Sequence, residues 1–217
     1  MESAAISADT PGRREELKAQ NRAKLLAAGR KVFAEKGVGA ATARDIVRET
    51  DLATGTFYNY FEDKNEVFRA LISEHAEQAR RIARAERQKS DSTVEERVHG
   101  AYRGYFQLVL EDREMFEVIR RNAGAISVVT DTEVFEPAIR ELVEDLADWA
   151  EAGELPRVDL DYLGTAMAAV AFQVAIHLVE REPPDVEAAA SFCTKVFLGG
   201  IPALAGSEIT DDRSQSL

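Results

Sequence analysis

The sequence predicts an all-α protein in which three short N-terminal helices precede a longer helix and a C-terminal helical domain. Apolar residues recur three or four positions apart along most of the 217 residues, which is the spacing of amphipathic helices. No segment shows sustained apolar–polar alternation with turn signals at hairpin spacing. Glycines, prolines and capping-box patterns separate the apolar segments and set the expected order of helices.

The N-terminal part is predicted to begin with a flexible leader, residues 1–13, and a first helix. This helix is expected to stop at Gly37 and Gly39, because glycine is common where helices end. A second, short helix follows Thr42, whose hydroxyl can cap the first turn. Asp45 lies in that turn, where a negative charge is favourable.

A third helix, residues 54–61, is predicted to be only two turns long. Phe57 and Phe61 lie four residues apart, so both side chains point to one side and are expected to be buried. The next helix, residues 63–88, opens with an Asp–Glu pair at capping-box spacing. Its length of about 35–40 Å is sufficient to connect two domains mechanically.

Five further helices are expected in the C-terminal part. Thr93 and Glu96 have capping-box spacing. Pro137 fits only the first turns of its helix, and the Pro183-Pro184 pair separates the last two helices. The predicted helices span residues 93–110, 112–122, 132–152, 159–182 and 185–205, and the polar tail 206–217 is expected to be frayed.

Charge is distributed unevenly along the chain. The net charge is −12, yet the first 90 residues carry 17 of the 27 Lys and Arg residues and only 14 of the 39 Asp and Glu residues. The N-terminal part is therefore net positive and the remainder strongly acidic. This asymmetry suggests an N-terminal surface for phosphates on a body that repels them elsewhere.

The chain is expected to be cytoplasmic and to have no membrane partner. No apolar run approaches the roughly 18–20 residues needed to span a bilayer, and the start MESAAISADT lacks the features of a signal peptide. Cys193 is the single cysteine, which excludes an intramolecular disulfide and a multi-cysteine zinc site.

The segment from residue 53 to 68, ATGTFYNYFEDKNEVF, concentrates side chains suited to DNA. Short helices with a tight turn, followed by a long helix, form the pattern of a helix-turn-helix unit. Gly55 allows the backbone to approach a phosphate, while Tyr58 and Tyr60 place hydroxyls on stiff aromatic stems. Asn59 can read a base edge, and Lys64 can contact phosphate.

The segment 23–72, and above all the run TGTFYNYFEDKNEVF, resembles the TetR family of bacterial transcriptional regulators. The resemblance implies an all-α homodimer with an N-terminal DNA-binding domain and a C-terminal domain for dimerisation and effector binding. Most such proteins repress transcription at a pseudo-palindromic operator and release double-stranded DNA when a small molecule binds. Matching positions imply DNA contacts by Thr42, Arg44, Thr54, Gly55, Thr56, Tyr58, Asn59, Tyr60 and Lys64.

The expected domains follow from this resemblance and from the helix pattern. They are a leader at 1–13, a helix-turn-helix domain at 14–62, a connecting helix at 63–88, an effector-binding and dimerisation domain at 89–205, and a tail at 206–217. Two positions depart from the family pattern. Asp51 replaces the usual turn glycine, and Ala53 replaces the usual Ser or Thr cap, so Thr54 is expected to cap the third helix.

The helix predicted at 159–182 has a face of small residues that would allow a second helix to approach closely. We expect this helix and the next to form a four-helix dimer interface, and the alternative is that the small face packs inside one subunit. The expected interface residues are Gly164, Ala168, Ala171, Ala175, Phe192 and Val196.

A largely apolar effector is expected in the C-terminal domain, because ligand pockets are mostly apolar with a few placed polar groups. Trp149 and His177 are favoured because each carries a polar atom that needs a partner when buried. Each candidate also fits an ordinary core or interface position. The candidates are Phe106, Met115, Phe116, Ile119, Phe135, Trp149, Phe172 and His177, with Leu142 beside them.

An enzyme is not expected, nor are a cofactor and a metal site. No GxGxxG, P-loop or HExxH motif occurs, and His75, His99 and His177 fall on different predicted helices. The alternatives left open are a ligand-independent or activating regulator, and a helical protein-interaction adaptor. An adaptor would account for the acidic body but not for TGTFYNYFEDKNEVF.

Overall fold

The protein is described by a computed structural model over residues 11–123, 135–156 and 158–205. Every regular element within these residues is a helix, which confirms the all-α prediction. Residues 1–10 of the leader predicted at 1–13, residues 132–134 of the helix predicted at 132–152 and the tail 206–217 lie outside the described residues, whereas residues 11–13 belong to the first helix. The helices are α1 Pro11–Ala40, α2 Ala43–Arg48, α3 Thr54–Phe57, α4 Lys64–Arg87, α5 Val94–Glu111, α6 Arg113–Arg121, α7 Glu136–Glu151, α8 Leu160–Glu180 and α9 Val186–Ala205.

The chain divides into two compact units. The N-terminal unit contains residues 1–74 together with 117–131, and the C-terminal unit contains residues 75–116 and 132–217. Helix α4 begins in the N-terminal unit and ends in the C-terminal unit, whereas α6 runs the opposite way. Two helices are therefore shared by both units, which matters for any signal that passes between them.

Helix α1 supplies the main apolar stripe of the N-terminal unit. Leu25, Val32 and Phe33 are buried, and Phe33 meets Phe68 of α4 edge to face at 5.5 Å. The helix is interrupted at Gly37, where φ is 73° and ψ is 157°. A residue with a side chain would be strained at this positive φ, so the expected stop at Gly37 is confirmed as a break within α1.

Helices α2 and α3 follow their sequence signals with one difference in length. The Thr42 side chain accepts the Asp45 backbone N–H, and the Asp45 side chain accepts the Thr42 backbone N–H, which is a complete capping box. Helix α3 is a single turn that ends at Phe57 rather than Phe61. Both phenylalanines are nevertheless buried as predicted, because the turn after α3 directs the second ring inward.

The start of α4 realises only half of its predicted capping box. The Asp63 side chain accepts the Glu66 backbone N–H at 2.9 Å. The Glu66 carboxylate accepts the backbone N–H of Glu62 at 2.5 Å rather than that of Asp63. The cap is thus shared between the turn and the helix.

The C-terminal unit has a core built by α5, α7, α8 and α9, with Phe116 of α6 and Leu155 after α7. The predicted capping box of Thr93 and Glu96 starts α5, and Pro137 lies in the first turn of α7, as expected. Tyr102 stacks near Phe106 and Phe197 with interplanar angles of 15° and 19°. The buried core consists of Val98, Tyr102, Phe106, Val109, Phe116, Leu146, Trp149, Leu155, Leu163, Met167, Ala175, Leu178, Ala190, Cys193 and Phe197.

Arginine–carboxylate pairs fasten α4 to α7 within the C-terminal unit. The Arg80 guanidinium pairs with Glu141, and one helical turn further along α7 Asp145 accepts Arg87 Nε at 2.6 Å. Arg87 is buried, so losing its partner would leave an uncompensated charge. These pairs fix the C-terminal half of α4 against α7.

Helix α8 corrects one expectation from the sequence. It is long and apolar enough, by length and composition, to cross a membrane, so the expectation that no apolar run approaches this length is wrong. Its apolar character has a local explanation in part, because Leu163, Met167, Ala175 and Leu178 are buried in the core. Further apolar residues of the helix, among them Val170, Phe172 and Val174, are partly buried against the same core.

Substituting Gly29 is expected to destabilise the N-terminal unit. A Cβ at this position would lie 2.5 Å from Val67 Cγ1, and Val67 is fully buried with a stiff branched side chain. Gly29→Ala should therefore lower the free energy of unfolding by about 1–3 kcal/mol. Urea denaturation followed by circular dichroism measures this change.

Gly39→Ala is the matched control, because nothing lies within 4 Å of a Cβ at Gly39. Its free energy of unfolding should stay the same or rise by about 0.4–1 kcal/mol. Equal stabilities for the two variants would contradict the close packing of α1 against α4.

Candidate nucleic-acid interface

The α2–turn–α3 segment presents a row of exposed polar side chains. Phe57 is fully buried while the next residue, Tyr58, has 60% of its surface exposed. The two rings meet edge to face at 5.3 Å, so Phe57 braces Tyr58 in its outward position. Of the nine predicted DNA contacts, the exposed ones are Thr42, Arg44, Thr54, Gly55, Tyr58 and Asn59, and the half-buried ones are Thr56, Tyr60 and Lys64.

Helix α3 starts without a side-chain cap. Its N-cap is Ala53, which has extended backbone geometry and makes no capping hydrogen bond. The expectation that Thr54 caps α3 is therefore wrong, since Thr54 is the first helical residue. The backbone at Gly55 is open, because nothing lies within 4 Å of a Cβ position there.

Three lysines of α1 pair with acidic residues of α2 and its following turn. Lys36 pairs with Asp45 at 2.9 Å, Lys31 with Glu49 at 2.6 Å and Lys24 with Asp51 at 2.9 Å. Such exposed pairs contribute little stability each, but they neutralise these lysine charges. The positive charge available to a phosphate is accordingly reduced on α1.

The carboxyl groups in these pairs respond to their partners. Hydrogen bonding to Lys36, and then to Thr42, lowers the pKa of Asp45 to about 2. The hydrogen bond from Lys24 lowers the pKa of Asp51. The turn that lacks the family glycine is thereby tied back to α1 through the side chain of Asp51.

The two tyrosines differ in their surroundings. The hydroxyl of Tyr60 accepts a hydrogen bond from Asn21 Nδ2 of α1 at 3.3 Å, which orients this half-buried ring. Tyr58 projects freely from the surface. Asn21 was not anticipated from the sequence, because 39 residues separate it from Tyr60 and no local pattern links them.

Lys64 lies where the turn meets α4, and its ammonium group is engaged by the protein itself. Lys64 Nζ donates to the backbone carbonyls of Val38, Gly39 and Ala41 at 2.7, 3.0 and 2.8 Å. An ammonium group has three N–H donors, so all of them are used. The predicted phosphate contact of Lys64 stays a prediction, and the structure adds a second role in which Lys64 holds the end of α1.

The last turn of α6 contacts the same end of α1. Asn122 is buried, and its side chain accepts the Val38 backbone N–H at 2.8 Å. Arg121 donates to the carbonyls of Ala34 and Glu35 at 2.6 and 3.0 Å. Neither residue was selected from the sequence, since their partners lie more than 80 positions away.

The predicted effector residues occupy different environments. Phe106, Phe116 and Trp149 lie in the core of the C-terminal unit, where Phe116 meets Phe172 at 5.9 Å and Arg97 lies over the Trp149 ring at 4.6 Å. Met115 and Ile119 are buried, Phe135 is exposed, and the His177 side chain is 73% exposed. The exposed position of His177 removes the reason for favouring it as a buried polar group.

The predicted dimer residues also separate into two groups. Gly164 is buried against α7, where a Cβ would lie 2.8 Å from Val143 Cγ2, and Ala175 is fully buried. For these two residues the packing matches the alternative in which the small face lies inside one subunit. Ala168 and Ala171 are half-buried, whereas Phe192 and Val196 are exposed by 58% and 46%.

Metal-ligating residues do not gather anywhere in the described residues. No group of three or more His, Cys, Asp or Glu side chains there has the geometry to hold a metal ion. Cys193 is buried in the core, and burial raises the pKa of its thiol to about 11.

The segment that carries this surface is similar to known transcriptional regulators. The model of the family described as bacterial regulatory proteins, tetR family, matches residues 25–71, which include α2, the turn, α3 and the start of α4. An uncharacterised HTH-type transcriptional regulator of Bacillus subtilis, YvdT, is 44% identical over 48 residues. That match spans 22% of this chain and 25% of the length of YvdT.

Solved structures extend the similarity to most of the chain. The fatty acid degradation regulator FadR from Bacillus halodurans has a TM-score of 0.71 at 22% identity, over 83% of this chain and 95% of its own. FadR from Bacillus subtilis, solved in complex with stearoyl-CoA, has a TM-score of 0.71 at 19% identity, over 82% and 98%. These TM-scores show a shared fold. Over residues 25–71 the chain is similar to the tetR family of bacterial regulatory proteins, and over most of its length it shares the fold of these solved regulators.

Proposed function

We propose that the protein is a sequence-specific DNA-binding transcriptional regulator that acts in the cytoplasm. The observation that supports this most directly is the exposed face of α2 and α3, which carries Arg44, Tyr58 and Asn59 around the open backbone at Gly55. Arginine guanidinium groups and tyrosine hydroxyls bind phosphates, and an asparagine amide can recognise adenine in the major groove. The buried Phe57 fixes the position of this face.

A homodimer would present two such faces to a pseudo-palindromic operator. Recognition elements would then lie about 34–36 Å apart, one helical turn of DNA. The exposed apolar side chains of α8 and α9, namely Tyr162, Phe192 and Val196, support these helices as the dimer interface. Phe192 and Val196 lie four residues apart on one side of α9, and an exposed apolar face of this kind is typical of protein contacts.

Repression relieved by an effector is the proposed direction of control. An effector can shift the protein only if it binds the releasing conformation better than the DNA-binding one. The C-terminal unit has an aromatic core with Tyr102, Phe106, Phe116, Trp149 and Phe172, which suits a largely apolar small molecule. FadR from Bacillus subtilis was solved with stearoyl-CoA, and we extend this ligand class to the present chain as a proposal.

A protein-interaction adaptor is the second candidate function. The acidic body supports it, because 25 of the 39 acidic residues follow residue 90. It leaves the outward arrangement of Tyr58, Asn59 and Arg44 without a role, so DNA binding is the stronger proposal.

Two substitutions on the exposed face should affect DNA differently. Arg44→Ala should weaken binding to all duplexes. It should also reduce the salt slope, the slope of log affinity against log salt concentration, by about one, because one phosphate contact is lost. Asn59→Ala should chiefly relax sequence preference, by about 1–3 kcal/mol at one base pair. Fluorescence anisotropy with a duplex selected by the wild-type protein from a random library measures both effects.

Arg181→Ala serves as the control, because Arg181 is an exposed arginine at the end of α8 in the C-terminal unit. Its affinity and salt slope should equal those of the wild type. An unchanged preference in Asn59→Ala would contradict the proposed base contact, and an unchanged slope in Arg44→Ala would contradict the phosphate contact.

Disrupting the exposed face of α9 should separate the dimer. Phe192→Glu places a charge at the proposed interface while sparing the core, because the Phe192 side chain is largely exposed. Sedimentation velocity should show a dimer for the wild type and a monomer for the variant. Leu17→Glu, which changes an equally exposed apolar residue on α1, should remain dimeric; a wild-type monomer would refute the interface.

Stearoyl-CoA should dissociate the protein from the selected duplex and change the fluorescence of Trp149. Trp149 is the only tryptophan of the chain and is buried in the core of the C-terminal unit, so its emission reports changes there. We expect DNA affinity to fall by about 5–150-fold, the usual range of allosteric coupling. Coenzyme A without an acyl chain should do neither, and release by both compounds alike would contradict an apolar effector.

A further inference from the structure

The backbone of Val38 is held from two directions at the end of α1. Its N–H donates to the Asn122 side chain at 2.8 Å, and its C=O accepts Lys64 Nζ at 2.7 Å. Val38 follows the break at Gly37, where backbone groups leave the regular hydrogen bonding of the helix. These two side chains therefore satisfy both polar groups of a residue that is itself buried.

Asn122 is fixed in this position by a second hydrogen bond. Its Nδ2 donates to the Val118 carbonyl of α6 at 2.7 Å, so the amide oxygen is directed at Val38. The side chain is buried, and leaving a buried backbone N–H without its acceptor is costly. A Cβ at Gly37 would lie at an ordinary contact distance of 3.5 Å from Asn122 Oδ1, so glycine is favoured here by the positive φ rather than by lack of space.

Lys64 binds the α1–α2 corner, residues 37–42, from its other side. Besides Val38, it binds the carbonyls of Gly39 and Ala41, which immediately precede the Thr42 cap of α2. The start of α4 is thereby attached to the residues that orient α2. Arg121 adds two bonds to the carbonyls of Ala34 and Glu35 before the break.

We propose that Asn122 and Lys64 are positioning residues for DNA binding, which act through Val38 to hold the α1–α2 corner in the orientation that α2 and α3 need. This inference rests on the proposed function and assigns it two residues outside the exposed face. It gives Lys64 a role that does not require a phosphate. Loss of either side chain reduces the fraction of molecules whose corner is competent, and the apparent affinity falls by that fraction.

The position of Asn122 gives the corner a route for regulation. Helix α6 begins in the C-terminal unit and ends in the N-terminal unit, and Asn122 follows directly after its last residue. A displacement of this end of α6 breaks the bond to Val38 without any change in α4. Under the proposal, this bond is the contact through which α6 would bias the corner, and such coupling requires that the corner have two arrangements.

The test compares Asn122→Ala, Asn122→Asp and Lys64→Ala in the full chain. Hydrogen exchange measures protection of the Val38 amide, and anisotropy measures affinity and salt slope with a duplex selected by the wild-type protein from a random library. Asn122→Ala should lose at least tenfold of Val38 protection and bind about tenfold more weakly, with the salt slope unchanged because no phosphate contact is lost. Asn122→Asp keeps an acceptor for Val38 and should recover part of both losses.

Lys64→Ala separates positioning from phosphate contact and serves as the second variant if Asn122→Ala does not fold. Positioning predicts weaker binding, faster exchange at residues 38–42 and an unchanged salt slope. A slope reduced by about one with unchanged exchange would show a phosphate contact instead and overturn the role assigned to Lys64. Ala123→Ser, an exposed neighbour of Asn122, should behave as wild type in every measurement.

A different result is expected if the clasp, meaning the hydrogen bonds of Asn122 and Lys64 to Val38, stabilises the fold but does not affect DNA binding. In that case Asn122→Ala loses Val38 protection but binds the duplex normally, and the proposal fails. The proposal also predicts that duplex binding slows exchange of the wild-type Val38 amide, because coupling is reciprocal. If the wild type selects no duplex, the proposed function fails first, and the exchange data alone show whether the clasp itself forms.

Discussion

The end of α1 is the constraint on which the N-terminal unit depends. Gly37 breaks the helix at a positive φ, and the backbone that follows needs partners from elsewhere in the chain. Asn122 supplies an acceptor and Lys64 supplies donors, so the starts of α2 and α4 and the end of α6 meet at one corner. Because buried backbone groups must be paired, moving any one of these three elements alone breaks a hydrogen bond at this corner.

Several cations of the N-terminal unit are engaged by groups of the protein itself. Lys24, Lys31 and Lys36 are paired with carboxylates, and Lys64 is engaged with carbonyls. The positive balance of the first 90 residues therefore overstates the charge that a phosphate meets. Arg44 remains on the exposed face with Tyr58 and Asn59, and the proposed DNA recognition relies on these few groups.

Features set by neighbouring residues could be predicted from the sequence. The capping boxes at Thr42 and Thr93, the inward positions of Phe57 and Phe61 and the break at Gly37 follow from short spacings and local geometry. Features set by distant residues could not. The bond from Val38 to Asn122 joins positions 84 residues apart, and no periodicity in the sequence marks either of them as paired.

The central claim is that the exposed face of α2 and α3 binds specific DNA. The most direct test measures wild-type affinity for a duplex selected from a random library, and for a scrambled duplex of the same composition, over a series of salt concentrations. The account predicts much tighter binding to the selected duplex, by about 10³-fold or more, with affinity that falls steeply as salt rises. Equal and weak binding of both duplexes at every salt concentration would contradict it.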